Sequence, residues 1–224
     1  MNELSPHLGI LPQAQRLLWP DLQSAAALGF ALYGGTAIAL RLGHRTSVDF
    51  DFFCGTPLDR NALFAVMPVL KTAQVLQDRP DTLTFLVAPG SESDGTVKVS
   101  FFGSITFGRV GTPQWTSDGV AQVASPEDLL GTKLKVILQR IEARDYFDTA
   151  ALLENGTSLA FGLGAARAIF GATFQPSECL KALAHFEGGD LEALPRSVKD
   201  KLIASVAAVD ELPRVSLLGH QLTL

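Results

Sequence analysis

Cysteine is almost missing: Cys54 and Cys179 are the only two in 224 residues, far apart and without CxxC spacing. That excludes a disulfide framework and a thiolate zinc site, and it fits a reducing cytoplasm. An excess of positive charge is missing as well. The formal net charge of -5 argues against a wholly basic nucleic-acid coat, while leaving room for a local patch of Arg and Lys that grips phosphate. No export signal is visible, since the first nine residues carry Glu3, Pro6 and His7 in place of a basic start and an apolar run. Nor is any apolar run long enough to cross a membrane. Residues 25–40 are uncharged, but about 16 residues fall short of the ~20 that a span requires. Gly34 and Gly35 also interrupt them, which favours a buried helix and turn. Repeats and low-complexity tracts are absent.

What is present is an ordinary globular composition, 47% hydrophobic and 18% charged, in a chain long enough for one large domain or two small ones. Residues 13–30 carry Leu17, Leu18, Leu22, Ala26 and Leu28 at helical intervals and read as one amphipathic helix ending near Gly29. A short strand or turn leads to Gly34-Gly35, and a short helix over 36–42 is closed by Gly43. The period then changes. Over 47–53, Val48, Phe50 and Phe52 alternate with Ser47, Asp49 and Asp51, as in a strand with one buried face. A helix is expected over 57–70 and strands over 73–77, 83–88, 97–102 and 105–110. PGSESDG, residues 89–95, reads as an exposed hairpin loop, so antiparallel pairing is expected around it and the sheet should be mixed. SPED at Ser125 supplies an N-cap, a proline at the first helical position and an acid three places after the cap. Further helices are expected over 159–170, 177–186 and 197–209. The expectation is therefore an α/β (α+β) domain over 1–124 followed by a helical region over 125–224, with an active site in the groove they share.

Asp49 and Asp51 project from one face of their strand, close enough to share a bound cation. Two aligned carboxylates repel, and a hard cation such as magnesium relieves the repulsion while accepting phosphate oxygens as further ligands. Gly34-Gly35 open a helix just upstream, where backbone N–H groups and the helix dipole favour phosphate and Thr36 adds a hydroxyl. Taken singly, an alternating acid pair is more often a solvated face and paired glycines a tight turn; together they set a metal beside a phosphate site. Downstream, Lys133 and Arg140 stand seven apart on an expected helix, with Arg144 one turn further. Such a stripe suits a triphosphate and fits a solvated basic face equally well, and Arg144 with Asp148 also has ordinary i,i+4 ion-pair spacing.

These residues carry a resemblance. YGGTAIALRLGHRTSVDFDFF, residues 33–53, resembles the first motif of the AbiEii/AbiGii toxin family of nucleotidyltransferases. KLKVILQRIEARDYFD, residues 133–148, is similar to that family's lysine-arginine helix and RDxxD segment. The resemblance implies a polymerase beta-like nucleotidyltransferase fold and transfer of a nucleoside monophosphate from a nucleotide triphosphate to an acceptor hydroxyl, an RNA end being one acceptor. It further implies Mg2+ (or Mn2+) on Asp49 and Asp51, and a triphosphate held by Gly34, Gly35, Thr36 and Lys133. Arg140 and Arg144 would support the site and Asp148 or Asp145 would complete it. The setting implied is a cytoplasmic toxin of a toxin-antitoxin or phage-defence system, with a separate antitoxin and no membrane.

One position departs from the wider polymerase beta pattern, where a neighbouring strand often carries a third carboxylate: TVKVSFF offers Ser100 there. That keeps open a catalytically degenerate nucleotide-binding module beside the enzyme readings, of which a small-molecule, antibiotic-type nucleotidyltransferase is the second. Arg45, next to His44, lies within reach of phosphate, although a basic surface turn accounts for both. His7, His185 and His220 have no ligand-like spacing. Trp115 and Tyr146 suit either base stacking or core.

Overall fold

Seven strands form one mixed sheet in the computed structural model, which describes residues 3–90 and 94–224. They are β1 (Ala31–Tyr33), β2 (Asp49–Phe53), β3 (Gln74–Arg79), β4 (Thr82–Val87), β5 (Val97–Phe102), β6 (Gln114–Trp115) and β7 (Gln122–Val123), in the order β3-β4-β5-β2-β1-β7-β6. β4 and β5 pair antiparallel, as the turn chemistry of the 89–95 loop predicts, although residues 91–93 of that loop lie outside the described residues. β2 pairs antiparallel with β1 and parallel with β5, in the register Asp49↔Lys98 and Asp51↔Ser100. The strand expected over 105–110 does not form. The sheet is completed instead by the two-residue strands β6 and β7, too short to show a period.

The period-two pattern of β2 has the predicted consequence. Phe50 and Phe52 are fully buried, stacking with or tilting against Phe101 and Trp19, while Asp49, Asp51 and Phe53 are half-buried on the opposite face. The single helix expected over 13–30 is broken into α1 (Gln13–Leu18), a 3-10 turn over Trp19–Leu22 and α2 (Gln23–Ala27). Pro20 is the cause, because it lacks an N–H and its ring clashes with the preceding turn. Likewise the helix expected over 57–70 shortens to α4 (Arg60–Val66), capped by the Asp59 carboxylate on the Ala62 N–H and followed by a 3-10 turn from Pro68. Between them lies α3 (Gly34–Leu42), which ends at Gly43 with φ +64. Ala37, Ile38, Ala39 and Leu40 are fully buried, and Arg41 clamps the Val123 and Ala124 carbonyls and the Gln114 side chain.

The chain divides into two compact units. The sheet belongs to the first, made of Met1–Gly108, Thr112–Ser125 and Gly219–Leu224. Its last segment is fully integrated: Leu222 is buried and the Leu224 N–H donates to Gln122 Oε1 at 2.8 Å. The second unit comprises Arg109–Gly111 and Pro126–Leu218 and is helical. It holds α5 (Pro126–Ile137), α6 (Ala143–Glu154), α7 (Leu159–Phe170), α8 (Pro176–Ala184) and α9 (Arg196–Ala207). α5 starts at Pro126, as SPED predicts, and the buried Asp128 accepts from the N–H groups of Val110 and Gly111, tying that short segment to the helix. α5 and α7 approach closely because Gly162 has no side chain; a Cβ there would lie 2.4 Å from Leu130 Cδ2. Among the described residues no helix is long and apolar enough to cross a membrane.

Candidate functional site

β1 runs directly into the first turn of α3, and no side chain caps that helix. Its leading N–H groups are therefore not taken up by a capping side chain, at the end where the helix dipole attracts anions. Tyr33 pairs with Asp51 across the β1–β2 ladder, so the start of α3 is held beside the second of the two aspartates. Gly34 makes this approach possible. Its φ is +74, and a Cβ at that position would stand 3.0 Å from Asp51 Oδ2.

Thr36 locks the other end of this contact. It is buried, and its hydroxyl is hydrogen-bonded to the Asp49 carbonyl oxygen and lies 2.7 Å from Ser47 Oγ. The hydroxyl thus works inside the fold, and what Thr36 can offer a ligand is its backbone N–H. Arg45 lies in the turn between α3 and β2, its guanidinium on the Thr46 carbonyl at 2.9 Å. The structure therefore brings Gly34, Gly35 and Thr36 together with Asp49 and Asp51 in one unit. Two oxygen-rich side chains on one strand face suit a hard cation. Among the described residues no group of three or more His, Cys, Asp or Glu is arranged to hold a metal ion, and the strand position level with Asp51 is the buried Ser100.

The parallel register also brings in a residue that the motif pattern passes over. Lys98 stands level with Asp49, and its Nζ lies 2.9 Å from Asp49 Oδ2. The signal was faintly present in TVKVSFF, where Lys98 and Ser100 share a face by period two. Which strand they would face was not readable, because β2 and β5 are far apart in sequence.

In the second unit the basic stripe takes a different form from the expected one. α5 ends at Ile137, so Arg140 is beyond the helix and folds back to clamp Asp145, with Nε 2.8 Å from Oδ2 and Nη2 3.1 Å from Oδ1. A two-pronged bond to a fully buried carboxylate outweighs one more helical residue. Lys133 is itself buried, its ammonium 2.7 Å from Asp145 Oδ1 and 2.7 Å from Asp148 Oδ2. Burial pushes the Asp145 carboxyl upward, but the Arg140 hydrogen bond and the Lys133 charge outweigh it and hold the group below the usual aspartate range. Arg144 is exposed and pairs with Glu142 at 2.5 Å, whereas Asp148 pairs with Lys133. Tyr146 is buried core against Phe186, while Trp115 lines a separate cavity of about 680 Å³ with Pro113, Thr116 and Leu224.

Comparison with known proteins gives the family and the fold. Residues 16–212 match the family described as "Nucleotidyl transferase AbiEii toxin, Type IV TA system". An uncharacterized protein of Aquifex aeolicus is 33% identical over 133 residues, 57% of this chain and 61% of that protein, so the match spans about three fifths of the relative. Among solved structures, a candidate nucleotidyltransferase from H. pylori superposes with a TM-score of 0.59 at 18% identity, covering 87% of this chain and 92% of that one. MenT4, a nucleotidyltransferase toxin of Mycobacterium tuberculosis, gives 0.54 at 14% identity, covering 87% and 81%. At such identities the two structures establish a shared fold.

Proposed function

The chain belongs to the AbiEii nucleotidyl transferase toxin family, and we propose that it moves a nucleoside monophosphate from a nucleotide triphosphate to an acceptor hydroxyl, with an RNA end as the acceptor. The observation that carries this reading is the meeting of Asp49 and Asp51 with the uncapped start of α3 at Gly34. Magnesium or manganese bound there would supply a Lewis acid that offsets charge on the reacting phosphoryl oxygens.

Asp49 and Asp51 would hold that ion, on a strand anchored by the buried Phe50 and Phe52. The backbone N–H groups of Gly34, Gly35 and Thr36 donate to the triphosphate tail, and Arg45 adds a positive charge at the turn. Lys133 spends two of its three N–H bonds on Asp145 and Asp148 and so holds both carboxylates inside the helical unit. Arg140 keeps Asp145 ionised, and Arg144 pairs with Glu142 at the surface. Ser100 offers no carboxylate to take the acceptor's proton, so in this reading water or the substrate takes it. As the toxin of a two-component system, the protein would be opposed by a separately encoded antitoxin.

Incubation with each labelled nucleotide triphosphate, magnesium and bulk RNA tests the proposal. Transfer of label is expected, with Asp49→Ala lowering it by roughly 10²–10³. Binding of triphosphate without any transfer would instead favour a degenerate binding module, and a wild type that neither binds nor transfers sinks the reading.

A further inference from the structure

Lys98 belongs to neither motif block, yet its ammonium rests on one of the two proposed metal ligands. The contact is set by strand register and not by a loop: Lys98 and Asp49 are paired positions on adjacent parallel strands, whose spacing is about 4.8 Å. Asp49 and Asp51, two residues apart on one face, repel each other, and Lys98 sets a positive charge on Asp49. The lysine side chain is 42% exposed and unbranched, so it can swing away without disturbing the core. A divalent cation on Asp49 would sit within a few ångströms of the ammonium, which must then leave Oδ2. The triphosphate that accompanies the cation brings oxygens able to accept the displaced N–H groups.

Resting on the metal-site reading above, we infer that Lys98 couples metal and nucleotide loading. It holds metal affinity down while the site is empty and donates to the triphosphate once displaced, so each ligand tightens the other. Binding linkage makes this coupling reciprocal, so it can be read from either side.

The test measures Mn2+ binding to the full chain by electron paramagnetic resonance, and then the affinity of non-hydrolysable α,β-methylene nucleotides with and without saturating Mn2+. Lys98→Met should bind Mn2+ alone on the order of tenfold more tightly than wild type, because a nearby positive charge is gone. The same variant should lose a measurable part, on the order of severalfold, of the enhancement that Mn2+ confers on nucleotide binding, the rest coming from the metal's own bond to phosphate. Lys98→Arg, which keeps the charge, should retain that enhancement. A purely structural Lys98 would shift the melting temperature and leave the enhancement unchanged, which overturns the inference. Equal Mn2+ affinity in wild type and Lys98→Met overturns it too while the metal site stands. Failure of both proteins to bind Mn2+ removes the metal site and the inference together.

Discussion

Replacing Lys133 by methionine should cost the protein about 3–5 kcal/mol, the usual penalty for breaking a buried ion pair by removing one partner. The ammonium serves two fully buried carboxylates, each at 2.7 Å. Asp145 keeps the bidentate Arg140 contact, while Asp148 loses a 2.7 Å charged partner inside the helical unit. For a chain of this size the change amounts to a fall in melting temperature on the order of 10 °C. Adding Asp148→Asn should recover part of the loss, because one of the two buried carboxylates deprived of the ammonium then carries no charge.

Acid gives an independent check. The Asp145 carboxyl is held below its ordinary range, so its pairing contributes fully above the unfolded aspartate pKa of about 3.9 and is lost as pH falls through the lower folded value. Wild type therefore loses stability below about pH 4, whereas the methionine variant is relieved by protonation of its carboxylates. The gap between the two should be widest at pH 7 and narrow as the pH is taken from 7 to below about 4. Thermal melts across that range decide the matter: a gap under about 1 kcal/mol at pH 7, or one that does not change with pH, refutes the argument. Loss of transfer activity in this variant points to a phosphate contact only when assayed well below its lowered melting point.

Gly34→Ala forces a side chain into a backbone at φ +74 and sets its Cβ 3.0 Å from Asp51 Oδ2. A loss of about 1–2 kcal/mol is expected, with nucleotide-analogue binding falling further than the melting temperature alone accounts for. Gln15 is 1% exposed, and among the described residues neither its Oε1 nor its Nε2 has a hydrogen-bond partner. Gln15→Met, close in volume, should therefore raise stability by roughly 1–2 kcal/mol in urea denaturation; a decrease would mean that ordered water satisfies the amide.

The acidic strand was legible because one face must be buried: the Phe50 and Phe52 positions force Asp49 and Asp51 to the other side, and no long-range information is needed. The α3 start was legible through Gly34-Gly35, and Ser100 through its place in an alternating strand. Lys98 was not, since its partner depends on a parallel pairing between segments separated by two other strands. The Lys133 stripe misled for a related reason. Helical spacing predicts which side chains share a face but not whether that face meets water or two buried carboxylates brought in by the next helix. The break at Pro20 was written in the sequence, and the apolar period around it masked it.

The return of Gly219–Leu224 to the sheet unit, with Arg109–Gly111 lent to the helical one, means that the units are interlaced along the chain. A cut between Ser125 and Pro126 would not yield two self-sufficient pieces. The amino-terminal fragment would keep the Val110 and Gly111 donors that Asp128 needs, and the carboxyl-terminal fragment would keep Leu222, which fills the sheet core. Each piece carries a part that the other lacks, so the natural outcome is fragment complementation. Two inert halves would regain a complete sheet unit and a complete helical unit only on mixing, giving a toxin-family protein an externally controlled way to be assembled.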